Sequence, residues 1–148
     1  MPALLNIYKM VYLSYAASKR ILNWRIRYDH TEAGEMYLET ILRLKQKTGA
    51  VRSVDIAREM GYSKPTVSEQ MKKFRENGLI EIDEDSHINL TEAGMEIARR
   101  TLNRHIVLTE ILTKIGVSDK VAENDACRLE HYMSEETFGR LKKYFEIE

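Results

Sequence analysis

A chain of 148 residues with 43% hydrophobic and 31% charged side chains has room for one substantial domain or two small ones, with the composition of an ordinary globular protein. Its 23 basic and 23 acidic residues cancel, so no global field draws it to nucleic acid, and a single cysteine excludes an internal disulfide and fits a reducing, cytoplasmic compartment. The cancellation hides a local asymmetry: residues 1–30 carry five basic side chains and one acidic, and Ser63 to Arg75 holds Lys64, Lys72, Lys73 and Arg75 against Glu69.

Residues 3–27 show apolar recurrence at helical spacing (Leu4, Tyr8, Val11, Tyr15, Leu22), with their basic residues late. They predict an amphipathic helix for packing or dimer contact. No run is long enough for a membrane span, and SYAASKR is a poor cleavage site for a signal peptide. From Ala33 to Lys47 a helix is expected on Met36, Tyr37, Thr40, Ile41 and Leu44, stopped at Thr48-Gly49. Ser53 is expected to cap a short helix, SVDIAREM, ended by Gly61. Ser63 caps the next, which carries Pro65 in its first turn and runs to Gly78.

Two short helices joined by a tight Gly-containing turn, the second polar and basic, have the form of a helix-turn-helix. Leu79 to Ile82 and His87 to Leu90 then read as short strands around the acidic turn Asp83 to Ser86, which completes a winged helix-turn-helix. A long helix opens at Thr91 and reaches Ile115 on Ile97, Leu102, Ile106, Leu108 and Leu112. Ser118 caps a further helix, and a last one runs from Ser134 to about Phe145. The fold class is therefore mainly α: a helical extension over 1–30, a DNA-binding winged helix-turn-helix over 31–90 and a helical domain over 91–148.

On the helix after Ser118, residues three and four apart share a face, so Glu123, Cys127, Glu130 and His131 project together as two carboxylates, a thiol and an imidazole. Divalent transition metals take such mixed donors, but one helix cannot close their coordination shell. A solvated polar face with a small buried thiol is the plainer alternative. Upstream, Met36 and Glu39 lie three apart on the first helix and His105 sits midway along the long one. On the third helix, Ser63, Thr66 and Ser68 suit phosphates or base edges, Pro65 a thymine methyl, and Lys64, Lys72 and Lys73 phosphates. The acidic hairpin tip would be repelled by DNA.

The combination EMYLETILRL, VRSVDIAREM, SKPTVSEQMKKF, NGLIE, INLTEAG, RHIVLTEIL and DACRLEHYMS resembles the diphtheria-toxin-repressor family of metal-dependent transcriptional regulators, over roughly Thr31 to Phe145. The resemblance implies a homodimer, paired through the second domain, that binds a double-stranded DNA operator when metal sits between its domains. It implies no membrane, no small-molecule substrate and no enzymatic activity. Met36, Cys127, Glu130 and His131 match the ligands of the iron-type primary site. Manganese-type members have Asp and Glu at the first two of these, and share Glu39, His105, Glu130 and His131. The thioether and thiolate tilt the site toward Fe(II), Glu39 would suit Mn(II), and Co(II), Ni(II) or Zn(II) could substitute. At the iron-type ancillary site His105 matches, but Thr109 stands where a carboxylate is expected and Glu123 where a histidine is. A second ion would then use His105 and Glu123 with a third partner not identified from sequence. The family's C-terminal SH3-like domain is expected to be absent, because the chain stops at Glu148. Two rivals remain: a metal-independent winged-helix regulator, and an enzyme using Cys127 as nucleophile and His131 as base.

Overall fold

The computed structural model describes residues 32–148, so the helix expected over 3–27 lies outside the described residues. The order is α1 (Glu32–Thr48), α2 (Ser53–Met60), α3 (Lys64–Glu76), β1 (Ile80–Ile82), β2 (Ile88–Leu90), α4 (Glu92–Lys114), α5 (Asp119–Leu129) and α6 (Glu135–Phe145). This is a winged helix-turn-helix followed by a helical part.

Helix α1 forms because Tyr37, Leu38, Ile41, Leu42 and Leu44 fall on one stripe, all buried, while acidic residues occupy the first turn and Lys45 and Lys47 the last. The stripe closes a core with Ile56 of α2, Val67, Met71 and Phe74 of α3, and Ile80 and Ile88 of the wing. Burying each such large side chain stabilises the fold by about 1.5–3 kcal/mol before entropy is counted. Helix α2 begins one residue earlier than its sequence suggests. Its N-cap is Arg52, whose backbone N–H donates to the Asp55 carboxylate at 2.9 Å, and Ser53 is the first helical residue. The Asp55 carboxylate, a strong acceptor three residues along, takes the N–H just ahead of the serine and so draws Ser53 into the first turn. Ser63 does cap α3, its Oγ accepting the Thr66 N–H.

The wing is a two-stranded antiparallel hairpin with Ile80 opposite Leu90 and Ile82 opposite Ile88. Its tip is an Asx turn: Asp83 Oδ1 accepts the N–H groups of Asp85 (3.0 Å) and His87 (2.8 Å). Thr91 ties the wing to α4, accepting the Gly94 N–H while its hydroxyl donates to the Gly78 carbonyl at 2.7 Å.

Helix α4 serves both cores. Ile97 and Ala98 pack beneath α1, whereas Val107, Leu108 and Ile111 pack with Ala126 of α5 and Phe138 of α6. Ile106, expected on the buried stripe, is instead exposed. Among the described residues no helix is long and apolar enough to cross a membrane.

Candidate metal centre and nucleic-acid interface

Helix α5 stops at Leu129, so the expected four-donor row is divided. Glu130 is the C-cap and His131 lies in the following turn. Helical periodicity fails here because the turn is held from outside the helix. The buried Arg104 of α4 donates to the Glu130 carbonyl at 2.7 Å, pairs with Glu135 at 3.2 Å and stacks on the Phe138 ring. The arrested turn swings His131 toward α1.

The result is a buried polar group drawn from three helices. Glu39, His105 and Glu130 each offer a ligand atom within 4.8 Å of the others. His105 Nδ1 lies 2.9 Å from Glu130 Oε2, and His131 Nε2 lies 3.2 Å from Glu130 Oε1. Glu130 is wholly buried and Glu39 nearly so. Met36, Glu39 and Cys127 line one cavity of about 280 Å³, with Arg43, Glu59, Met60 and Tyr62. Glu123, by contrast, is exposed on α5, and the carboxylates that accompany His105 are Glu130 and Glu39. The predicted pairing of His105 with Glu123 gives way because α5 turns that residue toward solvent.

Three donor-type atoms in this group, Glu39 Oε1, Glu130 Oε1 and His131 Nε2, are buried without a hydrogen bond. Glu130 Oε1 and His131 Nε2 meet only as an ion pair and Glu39 Oε1 lies 3.6 Å from Arg43, and a buried polar atom left without a hydrogen bond is costly, so their convergence fits a cation. The electrostatics show the same strain. Burial, reinforced by Glu130, pushes the Glu39 carboxyl up to about 7. Burial opposes charge on His131, but Glu130 and Glu35 outweigh it and lift the imidazole to about 9. A hydrogen bond to Glu130 raises His105 as well.

Sequence reasoning missed Glu35. It lies on α1 one turn before Glu39, accepts from His131 Nδ1 at 2.8 Å, and sits 3.8 Å from Arg100 of α4. The i, i+4 spacing of Glu35 and Glu39 was the available signal. The Tyr132 hydroxyl also donates to Glu32, a second tie between α1 and the turn.

The enzyme reading finds no support in this arrangement. Burial, then Glu130 and Glu39, raises the Cys127 thiol, the reverse of an activated nucleophile. The ring nitrogens of His131 face Glu35 and Glu130.

In the first core, α3 buries Val67, Met71 and Phe74 and leaves Ser63, Lys64, Pro65, Thr66, Ser68 and Lys72 exposed. Lys73 is half-buried and lies 3.6 Å from Glu69. Ser68 and Lys72 share a groove with Ser53, Arg75 and Ser86, which joins α2, α3 and the wing. Ser53 and Ser86 were not legible as a pair, being 33 residues apart. The acidic tip residues Asp83 to Asp85 are solvent-facing.

Residues 29–88 match the iron dependent repressor N-terminal DNA binding domain, and residues 91–146 the iron dependent repressor metal binding and dimerisation domain. The chain is 35% identical over 108 residues to the transcriptional regulator MntR of Escherichia coli O157:H7, covering 73% of this chain and 70% of that protein. It is 34% identical over 110 residues to the iron-dependent repressor IdeR of Mycobacterium tuberculosis, covering 74% and 48%. The solved structure of the manganese regulator SloR superposes with a TM-score of 0.67 at 26% identity, covering 77% of this chain and 54% of that one. The chain thus spans about half the length of the last two relatives.

Proposed function

This chain belongs to the iron-dependent repressor family, and from that premise we propose that it is a metal-dependent DNA-binding transcriptional regulator, a repressor of metal-uptake or homeostasis genes that works as a cytoplasmic homodimer on a double-stranded operator. The proposed division places DNA binding in 31–90 and metal binding and dimerisation in 91–148. The observation that carries the reading is the convergence of Glu39, His105 and Glu130, with orphaned atoms on Glu39, Glu130 and His131, between α1 and the helical part.

The residues that would hold the ion are Glu39, His105, Glu130 and His131, with Met36 and Cys127 reached from the adjoining cavity. The thioether and thiol favour Fe(II), and the carboxylates favour Mn(II). A divalent cation supplies one thing when bound: charge that satisfies donors carried by α1, α4 and α5 at once. Met36 and Glu39 move with the DNA-binding part, whereas Cys127, Glu130 and His131 move with the helical part. Fixing one set against the other fixes the separation of the two α3 helices in a dimer, which must match half-sites about 34–36 Å apart. Turning a mostly incompetent population into a mostly competent one requires about 5 kcal/mol of preference, within reach of a multi-donor site.

On the DNA side, Ser63, Thr66, Ser68 and Pro65 are assigned to bases and nearby phosphates, and Lys64, Lys72 and Lys73 to the backbone, with Ser53, Arg75 and Ser86 added by the groove they share with Lys72. Lys72→Ala should weaken binding to every duplex alike and flatten the salt dependence by about one unit of slope. A loss confined to one sequence, measured across salt concentrations, would contradict the phosphate assignment.

The reading is tested by operator affinity with Fe(II) or Mn(II), with chelator, and with His131→Ala. We expect at least a hundredfold drop on chelation, of the order a two-state switch allows, and an equal drop for the variant in metal. Affinity that ignores both treatments would favour the metal-independent regulator.

A further inference from the structure

The His131 ring is buried between two carboxylates that it meets in different ways. Its Nδ1 makes a 2.8 Å hydrogen bond to Glu35 Oε2. Its Nε2 lies 3.2 Å from Glu130 Oε1 without hydrogen-bond alignment, and both atoms are buried and otherwise unpartnered. An imidazole has one proton and one lone pair to distribute between its nitrogens when neutral, and an acceptor at Nδ1 decides which goes where.

We infer that Glu35 is the positioning residue for His131. By accepting at Nδ1 it holds a proton there, so that Nε2, which faces Glu130 and its neighbours, is the nitrogen left to ligate, and it fixes the plane of the ring. Outer carboxylates of this kind set the tautomer and basicity of a ligating histidine. The placement of Glu35 adds a consequence particular to this chain. It is carried by α1, four residues before Glu39, whereas His131 is carried by the turn after α5. The ring is therefore correctly aimed only when α1 stands in its present relation to that turn. Arg100 of α4, 3.8 Å from the second Glu35 oxygen, holds the carboxylate from the other side. Metal affinity and the angle between the two parts are coupled through this contact as well as through any ion they share.

The inference rests on the metal-site reading, and the experiment separates the two. Co(II) would be titrated against a competing chelator into wild-type protein and Glu35→Ala, Glu35→Gln and His131→Ala variants, with the visible spectrum recorded. Glu35→Ala should bind Co(II) about 10–100-fold more weakly with an altered ligand-field band, and Glu35→Gln, whose amide oxygen still accepts from Nδ1, should recover to within about threefold with the wild-type band. In the metal-free protein, the downfield imidazole N–H resonance that His131→Ala removes should also be lost in Glu35→Ala. Unchanged affinity and spectrum in Glu35→Ala would overturn the inference. So would a Glu35→Gln variant as weak as Glu35→Ala, which would make Glu35 a direct ligand or a bare charge. If His131→Ala itself bound Co(II) normally, the reading of the site would fail instead.

Discussion

Gly94→Ala should lower stability by about 3 kcal/mol and the melting temperature by about 10 °C. A Cβ built at Gly94 comes 2.0 Å from the Leu79 carbonyl oxygen, 3.0 Å from its carbon and 3.3 Å from Leu90 Cδ2. That carbonyl cannot simply swing aside. It accepts the Thr91 N–H at 3.0 Å, and the Leu79 N–H is held by the Phe74 carbonyl at 2.9 Å. Relief requires lifting the wing from the start of α4, which breaks the Thr91 cap and opens the first core at Leu79 and Ile80. Gly139 of α6 provides the control, since nothing lies within 4 Å of a Cβ there. Gly139→Ala should be neutral or stabilising by about 0.5–1 kcal/mol through helix propensity. Thermal melts of the two variants side by side test the contrast. A Gly94→Ala protein that melts with the wild type would mean that wing and helix do not approach so closely.

The elements were readable where local chemistry and long-range packing agree. The stripe of Tyr37, Leu38, Ile41 and Leu42, the caps at Ser63, Thr91 and Ser134, and Pro65 in the first turn of α3 each state in sequence what the fold then uses. The candidate site was legible as a set of residue types and only partly as geometry. Periodicity carried Glu130 and His131 onto a continuous helix, and nothing local to DACRLEHYMS announces that Arg104, 26 residues upstream, takes the Glu130 carbonyl and ends it. Glu39 reads as an ordinary surface charge, with Arg43 four residues on to match it. Its burial depends on α4 and α5 arriving above it. Glu35 and Glu123 show the limit from both sides. The first had no motif to mark it and touches His131, whereas the second had a motif position and faces solvent.

Metal loading should release about two to three protons per subunit near pH 7, so affinity for Co(II) should climb by about a hundredfold or more per pH unit. His131 keeps its proton to about pH 9, because Glu130 and Glu35 overcome the burial that opposes its charge. Glu39, raised to about 7 by burial and by Glu130, is half-protonated at neutrality, and burial with the two carboxylates keeps the Cys127 thiol protonated. Each must surrender its proton before its lone pair can serve a cation. The metal-free protein should show the opposite trend in stability. The contribution of His131, whose unfolded value is 6.5, is complete below that pH and disappears as the pH rises through about 9. That of Glu39 is complete below 4.5 and disappears as the pH rises through about 7. Glu130, held below the usual carboxylate range by its two histidines in spite of burial, contributes above 4.5 and fails on acidification. Melting temperature in chelator should therefore peak near about pH 5–6 and fall toward pH 9, whereas with saturating Co(II) it should keep rising over that interval. Calorimetric titration in two buffers of different ionisation enthalpy counts the protons. Heats that do not depend on the buffer, or a metal-free protein that gains stability between pH 6 and 9, would show that these side chains are not waiting for a cation.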